Sequence, residues 1–176
     1  MLRESIDKNI ITKISVFDFD QTLVNTPLPD QGRIDYEKKT GNKWPYEGWW
    51  GRALSLDTSI FEMSVVPETL SAYNKEKTNP ETLIVMLTGR MSKLASEVKL
   101  ILDEKGLKFD VYEYNRGGNT LDSKIKSLER LLSEHPNVTE LELWDDRIPH
   151  VEEFQKWGDS KENLTFKINI INGSYH

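Results

Sequence analysis

Cysteine is absent from the chain, so there is no disulfide framework and no thiolate metal site, and any metal must be held by oxygen or nitrogen ligands. No apolar run approaches the ~20 residues of a membrane-spanning helix, so no membrane partner is expected. The amino-terminal stretch MLRESIDKNIITK has no apolar core of the kind a secretory leader carries. These absences favour a cytoplasmic protein. Positive charge is also scarce: 23 Lys and Arg against 29 Asp and Glu leave a net charge of −6. A surface for extended duplex nucleic acid is normally basic, so such binding is not expected, although a local basic groove can coexist with an acidic whole. What is present, 37% apolar and 30% charged residues over 176 positions, suits one globular domain spanning residues 1–176 with a real core.

Four apolar runs each lead into a polar or glycine-containing cluster. Ile14-Ser15-Val16-Phe17 leads into Asp18, and Leu83-Ile84-Val85-Met86-Leu87 into Thr88-Gly89-Arg90. Phe109-Asp110-Val111-Tyr112 leads toward Arg116-Gly117-Gly118, and Leu141-Glu142-Leu143-Trp144 into Asp145-Asp146-Arg147. The second of these runs is continuously apolar, as fits a strand buried on both faces. Phe166 to Ile171 is a fifth candidate. Between them, Leu94, Val98, Ile101 and Leu102 share a helical face ended by Gly106. Leu121, Ile125, Leu128, Leu131 and Leu132 form a second stripe, stopped before Pro136. Ile148, Val151, Phe154 and Trp157 form a third, closed by Gly158. Alternating strands and helices predict an α/β fold, a central parallel sheet covered on both faces. Ligands in such sheets bind beyond the carboxyl ends of the strands, where the polar clusters fall. Residues 25–80 break the alternation. They hold Trp44, Trp49 and Trp50 and read as an insertion over the sheet edge, without a long helix but with a short one starting near Pro67.

The clusters carry the chemistry. In Asp18-Phe19-Asp20-Gln21-Thr22 two carboxylates at i and i+2 of an extended chain point to one side, roughly 6–7 Å apart. At the end of a buried strand they repel unless a cation joins them or one is protonated, and Mg²⁺ suits both carboxylate and phosphate oxygens. Thr88-Gly89-Arg90 offers a hydroxyl, a small residue and a guanidinium to a tetrahedral anion, though a plain strand-to-helix turn would read the same. Lys124 lies on the inward stripe with Leu128, Leu131 and Leu132, while Lys126 is turned ~200° away. A cation there opposes the helix dipole unless an anion waits nearby. Asp145 and Asp146 would complete a metal shell, or else form a polar turn.

The order DxDxT, TGR, lysine, DD at successive strand ends resembles the haloacid-dehalogenase (HAD) superfamily. The combination DFDQTL, LTGR, Lys124 and WDDRIPHVEEF is closer still to the phosphatase half of phage polynucleotide kinase-phosphatases and to the phosphatase-like domain of Swiss Army Knife RNA repair proteins. The likeness extends to Trp44-Pro45-Tyr46-Glu47-Gly48-Trp49-Trp50, Thr120, His150 and Phe154. The resemblance implies a Rossmann-like three-layer fold in which residues 25–80 form a small cap-like insert. It implies an Mg²⁺-dependent phosphatase in which Asp18 forms an aspartyl-phosphate and Asp20 moves the proton. Thr88 and Lys124 would hold the transferring phosphoryl group. Asp18, Asp20, Asp145 and Asp146 would bind the metal, and Thr22, Gly89, Arg90 and Arg147 the substrate. Gln21 stands where many relatives have glycine. Arg33 is offset from the position of a second substrate arginine.

The expected activity is therefore phosphomonoester hydrolysis on a nucleic-acid end or a nucleotide, as in polynucleotide 3′-phosphatases of RNA repair. Trp44, Trp49 and Trp50 would either stack bases or form the insert's own small core. The alternatives are a phosphatase of small metabolites such as sugar phosphates, and a catalytically idle binding module.

Overall fold

A computed structural model describes residues 6–176; the first five residues of the stretch read above for a leader lie outside the described residues. In chain order the elements are β1 (Lys13–Phe17), α1 (Pro29–Thr40), α2 (Pro67–Glu76), β2 (Thr82–Met91), α3 (Ala95–Glu104), β3 (Val111–Asn115), α4 (Thr120–Glu134), β4 (Glu140–Arg147), α5 (Val151–Asp159) and β5 (Thr165–Ser174). The five strands form one sheet in the order β3-β2-β1-β4-β5, every neighbouring pair parallel.

Strand period two sorts the apolar runs into two cores. Ile14, Val16, Leu83, Val85, Leu87, Leu141 and Leu143 face one side with Leu128 and Leu131 of α4 and Phe154 of α5. Phe17, Ile84, Met86 and Trp144 face the other, against Val98, Ile101 and Leu102 of α3 and Tyr73 of α2. The result is the three-layer Rossmann-like α/β architecture that the alternation predicts. Phe17 pairs with both Met86 and Trp144, so the ends of β1, β2 and β4 stand side by side.

Several boundaries differ from expectation. The strands β2 and β4 do not stop at their polar clusters but run through Thr88-Gly89-Arg90 and Asp145-Asp146-Arg147. Each has a register irregularity there, between Leu87 and Met91 and between Asp145 and Arg147. Such irregularities kink the strand and re-aim side chains. β3 starts only at Val111, because the Asp110 carboxylate, rather than a main-chain carbonyl, accepts the Ile84 amide (2.8 Å). Gly106 does follow α3 with φ +70°. Gly158 does not end its helix; it lies inside α5 because the Phe166 ring packs against it, and a Cβ there would meet Phe166 Cγ at 2.3 Å.

The helix near Pro67 is present as α2, but α1, 12 residues long, was not expected. Only Gly32 of α1 is buried, so the helix has no apolar stripe to read. Its docking depends on that glycine, whose Cβ would fall 2.1 Å from the Trp49 ring. Trp49 is buried and meets Trp44 and Phe61 edge-on or tilted, so these two tryptophans build a local core. Among the described residues no helix is long and apolar enough to cross a membrane.

Candidate active site

The chain leaves β1 at Phe17 into a tight turn. The Asp18 amide still donates to Trp144 O (3.0 Å), after which the amides of Leu23 and Val24 return to Phe19 O at 3.1 and 3.2 Å. Asp18 and Asp20 are therefore not neighbours along an extended strand, as the i, i+2 reading assumes. Gln21 takes a left-handed φ of 59°, a conformation easy for glycine and costly for other residues. Its side-chain amide donates to Thr26 O, and Asn172 Nδ2 donates to its carbonyl. The glycine-type turn survives because both ends of Gln21 are tied down.

Asp18 is 4% exposed and Lys124 only 1%. Lys124 Nζ donates to Asp18 Oδ1 (3.0 Å) and Asp145 Oδ2 (2.6 Å), so one buried cation bridges two strand ends. Burial lowers the affinity of Lys124 for its proton, but the charges of Asp145 and Asp18 outweigh it, and the net shift is upward. Burial pushes the Asp18 carboxyl well above the usual carboxylate range. Lys124 pulls it back in part, and the charges of Asp145 and Asp146 push it further up. Thr22, expected to bind substrate, is fully buried, and its hydroxyl donates to Asp18 Oδ2 at 3.1 Å, fixing the carboxylate's rotation.

Asp20 is engaged elsewhere. Arg90 Nε and Nη2 donate to its two oxygens at 2.9 and 2.7 Å, and Thr26 Oγ1 donates at 2.6 Å. Arg90 Nη1 is bound to Trp50 O (2.9 Å) and Ser55 Oγ (2.7 Å). Arg90, expected to reach substrate, thus borders the cavity with its guanidinium committed to Asp20, since a buried guanidinium needs a buried partner. Thr88 Oγ1 accepts the Arg90 amide (3.1 Å). Gly89 is required by close approach, as a Cβ would fall 2.6 Å from Thr120 Cγ2. Arg33 is placed away from this site, its guanidinium on Glu47 O.

Above Asp18 lies a cavity of about 200 Å³ whose walls include Asp18, Asp20, Gly89, Thr120, Lys124 and Arg147. Buried Arg147 Nε has no hydrogen-bond partner. Residues that sequence reasoning missed complete the site. Thr26 and Ser55 anchor the Asp20–Arg90 pair, and nothing in their local pattern marks them. Trp50 leaves the aromatic insert to stand against the cavity, with the Arg90 guanidinium 4.9 Å from its ring centroid. The His176 ring lies 4.8 Å from Trp50, and its Nε2 is 2.6 Å from Asp146 Oδ2. His150 is half-buried, and burial together with the nearby Arg147 and Lys124 charges lowers its pKa to about 4, so it is neutral at physiological pH.

Asp18, Asp145 and Asp146 each present a carboxylate oxygen within 4.8 Å of the others, all three buried. Asp146 Oδ1 is buried without a hydrogen-bond partner. An all-oxygen set with a spare buried acceptor fits a hard divalent cation such as Mg²⁺. The Asp20 side chain, expected among the ligands, is not part of this group, because both its oxygens are on Arg90.

HAD domain family 1 in Swiss Army Knife RNA repair proteins matches residues 39–174 of this chain. The uncharacterized protein YMR265C of Saccharomyces cerevisiae is 26% identical over 94% of the chain. Among solved structures, a chain of the Pnkp1/Rnl/Hen1 complex superposes with a TM-score of 0.57 at 14% identity over 93% of this chain. A haloacid dehalogenase-like hydrolase, SP0104 of Streptococcus pneumoniae, gives 0.52 at 13%, covering 91% of this chain and 94% of its own. The β-phosphoglucomutase of Pyrococcus sp. strain ST 04 gives 0.52 at 15%, covering 92% and 93%. At these identities the structures show the fold. The chain spans 41% of the yeast protein and 47% of the Pnkp1/Rnl/Hen1 chain. With the family model matched over residues 39–174, most of the chain, the chain belongs to HAD domain family 1 of the Swiss Army Knife RNA repair proteins, in the haloacid-dehalogenase superfamily of phosphatases.

Proposed function

We propose that the chain is an Mg²⁺-dependent phosphomonoesterase that works through an aspartyl-phosphate on Asp18, on the phosphorylated ends of nucleic acids or on nucleotides. The observation that carries the reading is Asp18 itself: buried, bridged to Asp145 by Lys124 and fixed by Thr22 beneath the cavity.

In the first step an Asp18 oxygen attacks phosphorus, the bond to the leaving oxygen breaks, and Asp20 supplies that oxygen's proton from Oδ2, which accepts from Arg90 Nε alone and keeps a lone pair for it. In the second, Asp20 takes a proton from water, the water oxygen attacks phosphorus, and the Asp18–phosphorus bond breaks to release phosphate. Arg90 positions Asp20 through its paired hydrogen bonds. Lys124 neutralises charge on the transferring group, and Arg147, in the cavity wall, holds a buried unengaged donor. Mg²⁺ held by Asp18, Asp145 and Asp146 would offset phosphate charge and keep the carboxylates from repelling one another.

A cavity of about 200 Å³ is smaller than the ~300–1,000 Å³ of pockets that engulf whole ligands. It admits the phosphoryl group and leaves the remainder outside, beside Trp50. The indole already carries one tilted ring contact, from His176, and an aromatic face beside the phosphate site supports a reading in which a nucleobase stacks there.

The test is hydrolysis of p-nitrophenyl phosphate, nucleotides, oligonucleotide 3′-phosphates and sugar phosphates with Mg²⁺. Asp18→Asn should lose several orders of magnitude in turnover while staying folded. Chelator should abolish activity, and Ca²⁺, with longer bonds and more ligands, should support it poorly. Full activity in excess chelator, or Asp18→Asn within tenfold of the parent, sinks the mechanism. Sugar phosphates turned over faster than every nucleotide substrate would sink the substrate assignment.

A further inference from the structure

A second concavity, of about 450 Å³, lies outside the catalytic cavity, between β3 and the first turns of α4. We propose that it is a subsite for the sugar-phosphate backbone of a single-stranded nucleic acid whose phosphorylated end sits over Asp18. The proposal rests on the phosphatase reading for its direction, since it follows the leaving group outward.

Position comes first. Thr120 and Lys124 wall the catalytic cavity, and the residues beside each in sequence, Asn119 and Ser123, wall the groove. The two hollows therefore adjoin along the start of α4, and a chain too large for the inner one has the outer beside it.

Charge comes second. The chain carries −6 overall, yet Arg116, Lys126 and Arg130 converge on this groove. Exposed Arg116 and Lys126 have no ion-pair partner among the described residues, while Arg130 is shared between Glu113 and Glu134. Of the two acids on the groove, Glu113 is therefore already paired, and Asp122 is exposed at the start of α4. Unpaired cations on an acidic molecule attract a polyanion locally.

Access comes third. Gly117 and Gly118 have φ of +135° and +83°, and a Cβ on either would meet nothing within 4 Å, so the lip of the groove is open. Ser123 and Ser127 add hydroxyl donors along its floor.

The experiment compares the parent with the Arg116→Ala/Lys126→Ala double variant on p-nitrophenyl phosphate and on 3′-phosphorylated single-stranded RNA and DNA oligonucleotides. KM for the oligonucleotides should rise about tenfold at low salt, with kcat unchanged and p-nitrophenyl phosphate kinetics unaltered. The slope of log affinity against log salt should fall by about 1.4, the value for losing two single-strand phosphate contacts. Binding of a labelled oligonucleotide without a terminal phosphate, followed by fluorescence anisotropy, should weaken in parallel and needs no turnover. If no phosphomonoester is hydrolysed, the function proposed above fails, and the anisotropy arm still decides the groove. Unchanged oligonucleotide KM and anisotropy in the double variant overturn the subsite, as does poly-glutamate binding as tightly as the oligonucleotide.

Discussion

Lys124 keeps its charge with 1% of its surface exposed because Asp18 and Asp145 both accept from it. Helical phase in the sequence already turned it inward and Lys126 outward, and the structure has the first buried and the second exposed. What phase cannot show is that Lys124 is a structural keystone as well. Removing it leaves two buried carboxylates facing each other, and breaking a buried pair typically costs ~3–5 kcal/mol. Lys124→Ala should therefore lose on the order of 10²–10³ in turnover and also melt well below the parent in chelator. Lys126→Ala should match the parent in both melting and p-nitrophenyl phosphate turnover, because an exposed charge contributes little to stability. Steady-state kinetics with thermal melts of both variants decide it; a Lys124→Ala protein as active as the parent would remove the lysine from the mechanism. The fate of Asp20 was less legible. Its partners Arg90 and Thr26 stand 70 and 6 residues away, and no local pattern reveals that pairing.

At the scale of elements, the middle of the sheet was readable because the central strands β1 and β2 are buried along most of their length, and α3 and α4 because each carries one apolar stripe. The helix α1 was not, since it buries a glycine rather than a stripe. Gly32 and Gly158 are the two helical positions where a ring takes the space of a side chain, Trp49 at one and Phe166 at the other. Glycine to alanine in a helix ordinarily gains up to ~1 kcal/mol. Here overpacking a buried ring costs ~1–3 kcal/mol, so the clash wins and both Gly32→Ala and Gly158→Ala should be destabilised. Their functional consequences should differ. Gly158 lies in α5 where it packs on β5, so its variant should keep the parent's KM when folded. Gly32 seats Trp49, and Trp50 follows it at the cavity, so Gly32→Ala should raise KM for nucleotide substrates. Denaturant melts with kinetics below the transition test both; a more stable Gly158→Ala protein would mean that Phe166 moves aside freely.

For the molecule as a whole, an acidic chain gathers three buried carboxylates at one point, Asp18, Asp145 and Asp146, with a single buried lysine between two of them. A divalent cation that binds this arrangement binds only the folded state, because the unfolded chain separates Asp18 from Asp145 and Asp146 by more than a hundred residues. Binding then adds to stability as RT ln(1 + [L]/Kd), about 2.7 kcal/mol at a hundred times Kd. For a domain of this size each kcal/mol is worth about 2–4 °C, so saturating Mg²⁺ should raise the melting temperature by ~5–11 °C over the protein in chelator. Asp146→Asn removes a ligand charge while keeping the shape, and its metal-dependent rise should largely vanish. Asp122→Asn, on the exposed start of α4, should retain the parent's rise. Because Ca²⁺ also favours oxygen ligands, it should stabilise the parent while supporting little turnover, which separates holding the metal from using it. A parent whose melting is indifferent to both ions, or an Asp146→Asn protein that responds as the parent does, would show that these three carboxylates do not hold the metal.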